Sequence, residues 1–277
     1  MRALVKSSLR LAVTSTGAEG CMGVETFRVL VCVKIGAVID GEPRVASDGL
    51  TIEPQALSWD HNEWDLHAVE EALLLRESIG SGEVVVVSVG GESAEQTLRW
   101  CIAMGADRGV RVDAELIEPV SIARCLAEVA TRESPSLVLT GAQSVDGMHS
   151  ATPSAMAGLL GLTHVPFVTD ISYRDSTGAV VVLRELEGGS SERLRIPVPA
   201  VLSIQTGINH PRYVTLGARK RALASHIDVL ELSPLAKAAS RVRSLTTPVS
   251  QTEVEFVDGS TAEIAESISN ILARTVG

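Results

Sequence analysis

The sequence predicts an α/β fold with a Rossmann-like, mostly parallel sheet flanked by helices, an antiparallel portion and a C-terminal arm. Only 3% of the 277 residues are aromatic, so Val, Leu, Ile and Ala must fill the core, which suits a parallel sheet covered by helices. Apolar runs alternate with stretches of helical periodicity, the pattern of repeated βαβ units. After Pro166 the apolar runs follow one another closely, which indicates antiparallel pairing.

The first predicted strand spans residues 27–34, a continuous apolar run typical of a central parallel strand. A polar, Gly-rich stretch follows to about Asp60, where we assign no regular element. The next segment has helical periodicity and ends near Gly80. Asn62 and Asp65 are both candidates to cap this helix.

The same alternation continues along the chain. Strands are predicted at 83–89, 109–112 and 137–140, and helices at 93–104, 120–132 and 152–160. Later strands are expected at 168–173, 179–186, 194–196 and 201–205, the first two joined by a turn at 175–178. Residues 220–231 form a basic and then acidic segment, and 262–272 has helical periodicity. We divide the chain into an extension (1–26), an α/β nucleotide-binding domain (27–215) and a C-terminal arm and tail (216–277).

The extension differs in composition from the rest of the chain. It has three basic residues and no acidic residue before Glu19. It lacks the compact apolar region of a secretory signal. A transit-peptide-like segment and a true start at Met22 both fit this composition.

Charge and cysteine content exclude several classes of function. The net charge of −10 argues against a nucleic-acid partner, because phosphate binding needs a basic face. No apolar run approaches the roughly 18–20 residues needed to span a bilayer, so we expect no membrane insertion. The four cysteines form no CxxC pair and the six histidines no spaced ligand set, so we expect no metal site.

Ligands of open parallel sheets bind outside the carboxyl ends of the strands. Three loops lie there on this interpretation, at 32–34, 89–91 and 141–152. The third is small and polar and leads into a helix, whose N-terminal N–H groups attract phosphate. Ser150 and Thr152 add hydroxyl donors. A capped turn without a ligand explains the same residues equally well.

Catalytic motifs are missing from the sequence. It has no GxGxxG after the first strand, no GxxxxGK[ST] and no GxSxG. Asp146 is the one candidate catalytic acid in the polar loop, and its alternative roles are to cap a turn or to order that loop. The residues themselves therefore indicate an adenine-nucleotide or phosphate binder without a catalytic set.

Several motifs resemble those of electron-transfer flavoprotein β subunits, in the family's order. They are VLVCVK at 29–34, AVEEAL at 68–73, AMGADR at 103–108, RELEGG at 184–189, PAVL at 199–202 and, most specific, GINHPRYVTL at 207–216. DHNEWD at 60–65 is similar to the branch of methylotrophic bacteria that serves amine dehydrogenases. The fatty-acid branch has Asn-Pro-Phe where this chain has Asn62, Glu63 and Trp64.

The resemblance implies a heterodimer of α and β subunits that carries electrons and turns over no substrate of its own. FAD is held mainly by the α subunit, and the β subunit buries a structural AMP. Electrons arrive from a flavoprotein dehydrogenase of the amine or acyl-CoA type and leave through a quinone oxidoreductase toward the respiratory chain. The expected location is the bacterial cytoplasm, or the mitochondrial matrix in a eukaryote.

The resemblance also implies which residues bind. Trp64 occupies an aromatic position near the flavin. The expected cofactor-binding residues are Cys32, Asn62, Glu63, Trp64, Asp65, Val89, Gly141, Ala142, Gln143, Ser144, Val145, Asp146, Gly147, Met148, His149, Ser150, Ala151 and Thr152. Ile208 matches an apolar anchor for the dehydrogenase, and the expected docking residues are Ile208, Asn209, Pro211, Arg212 and Tyr213. The alternative for Ile208 is packing in the chain's own core.

Two other functions remain open at this stage. Gly147 also occurs in electron-bifurcating relatives, which oxidise NADH and hold a second FAD in place of AMP, whereas Thr152 fits the AMP-binding branch better. Gly147 and Met148 replace acidic residues of the fatty-acid branch, and Pro153 replaces a glycine. A free-standing adenine-nucleotide sensor is the third hypothesis, but such a sensor has no need of a docking motif around Ile208.

Overall fold

The computed structural model describes residues 27–114, 118–174, 179–232, 241–247 and 256–276. The extension 1–26 and the turn at 175–178 lie outside these residues. The chain divides into a larger unit, Met1–Val38 with Ser58–Arg241, and a smaller unit, Ile39–Leu57 with Val242–Gly277.

The described residues contain eleven strands and six α-helices. The strands are β1 (Arg28–Cys32), β2 (Ile35–Ile39), β3 (Leu57–His61), β4 (Glu83–Val89), β5 (Arg108–Val112), β6 (Leu137–Gly141), β7 (Thr163–Arg174), β8 (Ala179–Glu185), β9 (Ser191–Pro197), β10 (Ala200–Ile204) and β11 (Ile227–Leu230). The helices are α1 (Glu63–Ile79), α2 (Ala94–Met104), α3 (Pro119–Glu133), α4 (Thr152–Leu160), α5 (Leu216–Leu223) and α6 (Thr261–Val276).

Nine of these strands form one sheet in the order β11-β5-β4-β1-β6-β10-β7-β8-β9. Every pair from β11 to β7 is parallel, and β7, β8 and β9 pair antiparallel. β2 and β3 form a separate two-stranded sheet. The predicted fold class, mostly parallel with an antiparallel portion, is therefore confirmed.

The strand order places a topological switch point between β1 and β6. From β1 the chain passes through α1 to β4 and through α2 to β5, all on one side of β1. It then returns through α3 to β6, on the other side. In open α/β sheets the loops at such a switch point diverge and leave room for a ligand.

The core fills both faces of the sheet with aliphatic side chains. Val29 and Val31 of β1 belong to the cluster beneath α1 and α2, while Leu30 and Cys32 belong to the cluster beneath α3 and α4. This alternation follows from the two-residue period of a strand. Because both faces are covered, the central strands read as continuous apolar runs, which made them easy to predict.

Ion pairs gather where the strands begin. Arg28 at the start of β1 pairs with Glu83 at the start of β4, and Arg108 at the start of β5 pairs with Glu83 and Glu133. All four side chains are partly exposed, so each pair adds little stability. Since the amino ends of β1, β4 and β5 are occupied by these pairs, the carboxyl ends are the place to look for a ligand.

Three strands were missed by the sequence analysis. β2 and β3 lie in the stretch where no element was assigned, because β3 is short and largely polar and β2 follows the first strand without a clear break. β11 lies in the basic-then-acidic segment and joins the sheet by pairing with β5. A four-residue edge strand buries too little apolar surface to leave a pattern.

The smaller unit contains a bridge between Val45 and Ile52, a short 3₁₀ turn and helix α6. The helix was predicted at 262–272 and extends over Thr261–Val276. It exposes Ile268, Ile271 and Leu272. Within the described residues, no helix combines the length and apolar character needed to cross a bilayer.

Leu139 tests the packing of the sheet. It is fully buried in β6, and Leu139→Ala should lower the free energy of unfolding by about 2–5 kcal/mol, because the truncation leaves a cavity. Leu159→Ala removes a half-exposed side chain from α4 and should change stability by about 0.5 kcal/mol or less. Denaturant unfolding followed by circular dichroism compares them. Equal losses would contradict the assigned packing.

Candidate functional site

A single carboxylate joins the two strands at the switch point. Asp65 lies in the first turn of α1 and is only 6% exposed. Its Oδ2 accepts a hydrogen bond from the N–H of Lys34 after β1 at 2.9 Å, and its Oδ1 accepts one from the N–H of Gly141 at the end of β6 at 3.1 Å. The ends of β1 and β6 are therefore held together through the start of α1.

Asp65 has no salt bridge among the ion pairs of the described residues. Burial raises the pKa of its carboxyl from 3.8 to about 7, opposed by hydrogen bonds from Asn62 and from the N–H groups of Lys34 and Gly141 and by the charge of Lys34. A buried carboxylate without a direct ion-pair partner is costly for the fold. Such a group at the carboxyl ends of the strands is typical of a functional site.

Gly141 permits this close approach. A Cβ at this position would lie 2.5 Å from Oδ1 of Asp65 and 2.6 Å from the Cβ of Trp64. Trp64, half-buried, therefore lies directly against the strand end where the polar loop begins. Of the other predicted residues in this turn, Glu63 is exposed.

Asn62 holds the polar loop to the start of α1. It is 1% exposed; its Nδ2 donates to the carbonyl of Gln143 at 2.9 Å, and its Oδ1 accepts from the N–H of Val145 at 3.4 Å. Asn62 does occupy the N-cap position of α1, but its side chain makes no capping hydrogen bond. Asp65 also does not cap the helix, because its oxygens face Lys34 and Gly141.

A second contact orders the same loop. The ammonium of Lys34 lies 2.8 and 2.6 Å from the two carboxylate oxygens of Asp146. Burial acts to raise the pKa of Asp146, but the hydrogen bond and charge of Lys34 hold it below its ordinary value. Asp146 also accepts from the N–H of Gly147. These contacts fit the loop-ordering role expected of Asp146.

Met148, His149 and Ser150 of the loop are exposed, and the backbone there is strained. Met148 and Ser150 both have a φ of 50°, a conformation that costs a non-glycine residue energy and that clusters at functional sites. Helix α4 begins at Thr152 after Ala151, with no side-chain cap. Pro153 in the first turn has no N–H, so the other N–H groups of this turn present the positive end of the helix dipole without a capping side chain.

The remaining predicted residues lie at the ends of neighbouring strands. Cys32 is buried on the side of α3 and α4, and burial raises the pKa of its thiol well above the ordinary range. Val89, partly buried, ends β4, and the next N–H, of Gly90, bonds to β5. The structure therefore places the carboxyl ends of β1, β4 and β6 side by side, as the strand pattern predicted, and brings the start of α1 to the ends of β1 and β6.

Sequence reasoning missed a chain of hydrogen bonds below the loop. Ser154 of α4 contacts His164 at 3.1 Å, His164 contacts Ser203 at 2.7 Å, and Thr140 donates to Ser203 at 3.3 Å. These residues come from α4, β7, β10 and β6, so no spacing along the sequence relates them. Burial lowers the pKa of His164, which favours a neutral imidazole in this chain.

The predicted docking residues are fastened to the middle of α1. Asn209 donates to the carbonyl of His67 and to Glu71, both at 3.0 Å. The guanidinium of Arg212 donates to both oxygens of the buried Glu70 and to Glu77. Two sequence motifs, AVEEAL and GINHPRY, therefore bind each other.

The side chains of the segment 207–213 differ in how far they are buried. Ile208 is partly buried and packs against the core beneath α1, whereas Tyr213 is 89% exposed. Pro211 is partly buried. The packing of Ile208 agrees with the alternative given for it above, and Tyr213 is the more accessible apolar group.

The described residues bring together no group of three or more His, Cys, Asp or Glu side chains suited to a metal ion. The polar groups at the switch point are backbone N–H groups, hydroxyls, amides, the ion pair of Lys34 with Asp146, and the carboxylate of Asp65, whose two oxygens already accept backbone N–H groups. Because the remaining groups are mainly hydrogen-bond donors, they suit a phosphate or a nucleotide better than a metal.

The contact between Gly141 and Asp65 gives a sharp test of the site. Gly141→Ala should destabilise the protein by at least about 1–3 kcal/mol, because the new Cβ meets a backbone-anchored carboxylate and Trp64. Gly158→Ala, within α4 and with open space around its Cβ, should instead stabilise the protein by about 0.4–1 kcal/mol. Thermal melting distinguishes them, and a neutral Gly141→Ala would reject the close approach.

Comparisons with known proteins give one consistent result. The family model of the electron transfer flavoprotein domain matches residues 49–235. The electron transfer flavoprotein subunit beta of Methylophilus methylotrophus is 36% identical over 264 residues, which cover 91% of this chain and 100% of that protein. The subunit beta of Homo sapiens is 33% identical over 256 residues, covering 90% of this chain and 96% of that protein. The chain belongs to the electron transfer flavoprotein family, within its β-subunit branch.

Proposed function

We propose that this chain is the β subunit of a heterodimeric electron-transfer flavoprotein. It pairs with an α subunit, receives electrons from a flavoprotein dehydrogenase of the amine or acyl-CoA type, and passes them to a quinone oxidoreductase. It turns over no substrate of its own. It acts in the bacterial cytoplasm, or in the mitochondrial matrix if the source is eukaryotic; the Arabidopsis thaliana relative carries a mitochondrial label.

One observation carries the nucleotide-binding part of the proposal. The polar loop that follows β6 is fastened at the switch point by three independent contacts, through Asp65, Asn62 and Lys34. It then leads into a helix that has no side-chain cap. A loop held this firmly, with a strained and exposed backbone and a helix N-terminus that has no side-chain cap, suits a bound phosphate.

AMP is the nucleotide that fits this site in the proposal. Thr152 and Ser150 supply hydroxyl donors beside the N-terminus of α4, and the residue between Asp146 and Met148 is a glycine, which leaves backbone accessible. The ion pair of Lys34 with Asp146 fixes the approach to the loop. These residues bind and orient; none of them is proposed to react.

FAD supplies the redox chemistry when bound and is held mainly by the α subunit. On this chain, Trp64 and Glu63 in the first turn of α1 help to enclose it. Asp65 and Gly141 hold that turn against the sheet. The segment 216–277 contacts the α subunit in this proposal, and α6, with its exposed Ile268, Ile271 and Leu272, offers an apolar face for this contact.

The composition of the purified heterodimer tests the proposal. Denaturation should release one FAD and one AMP per heterodimer, whereas the isolated chain should bind FAD poorly. Quantitative chromatography of the nucleotides released from the heterodimer and from the isolated chain measures both. Two FAD and no AMP would instead favour an electron-bifurcating protein, and tight stoichiometric FAD on the isolated chain would contradict the proposal.

Thr152→Val should lower AMP affinity roughly ten- to a hundredfold, because a hydrogen bond to a charged group is lost. Thr131→Val, which removes a hydroxyl bonded within α3, should leave AMP content unchanged.

Docking to the dehydrogenase is proposed to use the segment 207–213. Ile208→Ala tests it, because full burial of such a side chain at an interface is worth about 1.5–3 kcal/mol. If Ile208 is the anchor, electron transfer should weaken roughly ten- to a hundredfold with folding and flavin content unchanged. Electron transfer from the dehydrogenase and the melting temperature are measured on one preparation, with Leu159→Ala as control. A lower melting temperature with normal transfer would assign Ile208 to the core.

A further inference from the structure

We propose that Asp65 is the positioning residue of the nucleotide site: its ionised carboxylate holds the ends of β1 and β6 in place, and its protonation loosens the loop between Gly141 and Thr152. The inference rests on the proposed nucleotide function. It assigns Asp65 a role beneath the loop instead of a direct contact with a cofactor.

The carboxylate of Asp65 is buried, and both of its oxygens are already engaged by backbone N–H groups, so it is not placed to contact a ligand directly. Asp65 is 6% exposed, and its two oxygens accept one backbone N–H each, from two different strand ends. The backbone of Lys34 is also held by the N–H of Asn62, which donates to its carbonyl at 3.4 Å. The strand end, the helix start and the loop therefore move as one assembly while both oxygens accept.

The ionised form suits this task better than the protonated form. A carboxylate has two acceptor oxygens, whereas a carboxylic acid uses one of them as an O–H donor. On protonation, either Lys34 or Gly141 loses a full acceptor at a buried site. Gly141 begins the polar loop, and Lys34 carries the ammonium that binds Asp146, so loss of either contact reaches the loop directly.

In the part of the chain that the structure describes, the charged and titratable side chains that act on Asp65 are one ammonium and two thiols. The ammonium belongs to Lys34, which is paired with Asp146. The thiols of Cys32 on β1 and Cys101 on α2 also interact with it, and burial raises the pKa of both well above the ordinary range. Both thiols therefore remain neutral between pH 6 and 8, the range in which a carboxyl with a pKa of about 7 changes charge.

Protonation of Asp65 is expected to stabilise the fold and to weaken nucleotide binding by the loop, so stability and nucleotide retention should depend on pH in opposite directions. A carboxyl whose pKa is raised from 3.8 to about 7 stabilises the folded chain below pH 4, and this contribution is lost as pH rises through 7. Nucleotide retention is expected to fall as pH falls through 7. A purely structural carboxylate would not produce this opposition between stability and retention.

The experiment uses the purified heterodimer as wild type, Asp65→Asn and Asp113→Asn. The control Asp113 follows β5 in the same sheet, is half-exposed and pairs with Arg111. AMP affinity is measured by equilibrium dialysis of AMP against protein freed of nucleotide, between pH 6 and 8. Hydrogen–deuterium exchange is followed on peptides that contain Lys34 and Gly141, with rates corrected for the intrinsic effect of pH.

Wild type and Asp113→Asn should lose about tenfold in AMP affinity from pH 8 to pH 6, the effect of one hydrogen bond. Asp65→Asn should bind about tenfold more weakly at pH 8 and exchange faster at Lys34 or Gly141. Its further loss at pH 6 should be smaller than that of the wild type, because only the phosphate of AMP, with a second pKa of about 6, still titrates. Wild-type affinity in Asp65→Asn, or an unchanged pH dependence, would overturn the inference. If Asp65→Asn fails to fold, wild-type exchange at Gly141 that is independent of pH would overturn it.

The exchange measurement separates the two proposals. If the wild type binds no AMP, the proposed nucleotide function fails. The role of Asp65 is then still decided by whether exchange at Lys34 and Gly141 follows the protonation of the carboxyl.

Discussion

The hydrogen bonds from Lys34 and Gly141 to Asp65 are the constraint on which the site depends. The loops that leave two parallel strands diverge at a switch point, and nothing in the β1–β6 ladder itself determines how the chain continues beyond it. Asp65, in the first turn of α1, fixes this course because it accepts hydrogen bonds from the N–H groups of Lys34 and Gly141. Trp64 beside it lies against Gly141, and Asn62 reaches the loop at Gln143 and Val145. The turn DHNEWD is therefore the connection between the sheet and the loop.

This arrangement has an energetic cost that stability alone does not explain. Burial raises the pKa of Asp65 to about 7, so the folded chain favours the neutral acid, yet two N–H groups point at the ionised form. An asparagine would avoid the buried charge but would turn a donor toward one of the two N–H groups. A strained site that the rest of the fold supports is the usual mark of function. The left-handed backbone at Met148 and Ser150 lies in the same loop.

The sequence predicted the central strands well because they are buried on both faces, and it predicted a helix near 152–160, where α4 spans Thr152–Leu160. It also selected three loops because each follows the carboxyl end of a predicted parallel strand. It could not show that Asn62 and Asp65 bond to the loop and the strand ends instead of to helix N–H groups, because short polar residues at a helix start have the same pattern in either case. The chain from Ser154 through His164 to Ser203 was invisible for a related reason: its members become neighbours only when four elements are packed.

Helix α1 links the proposed nucleotide site at the switch point to the proposed docking segment 207–213. Its first turn holds the switch point through Asp65, and its middle holds the segment 207–213 through Glu70 and Glu71. Glu70 is 4% exposed and accepts several hydrogen bonds from Arg212, so this segment is ordered before any partner arrives. An interface that is already ordered loses less conformational entropy on binding. In the proposed docking, the exposed Tyr213 belongs to this ordered segment, and the same helix fixes the position of the segment relative to the loop that follows β6.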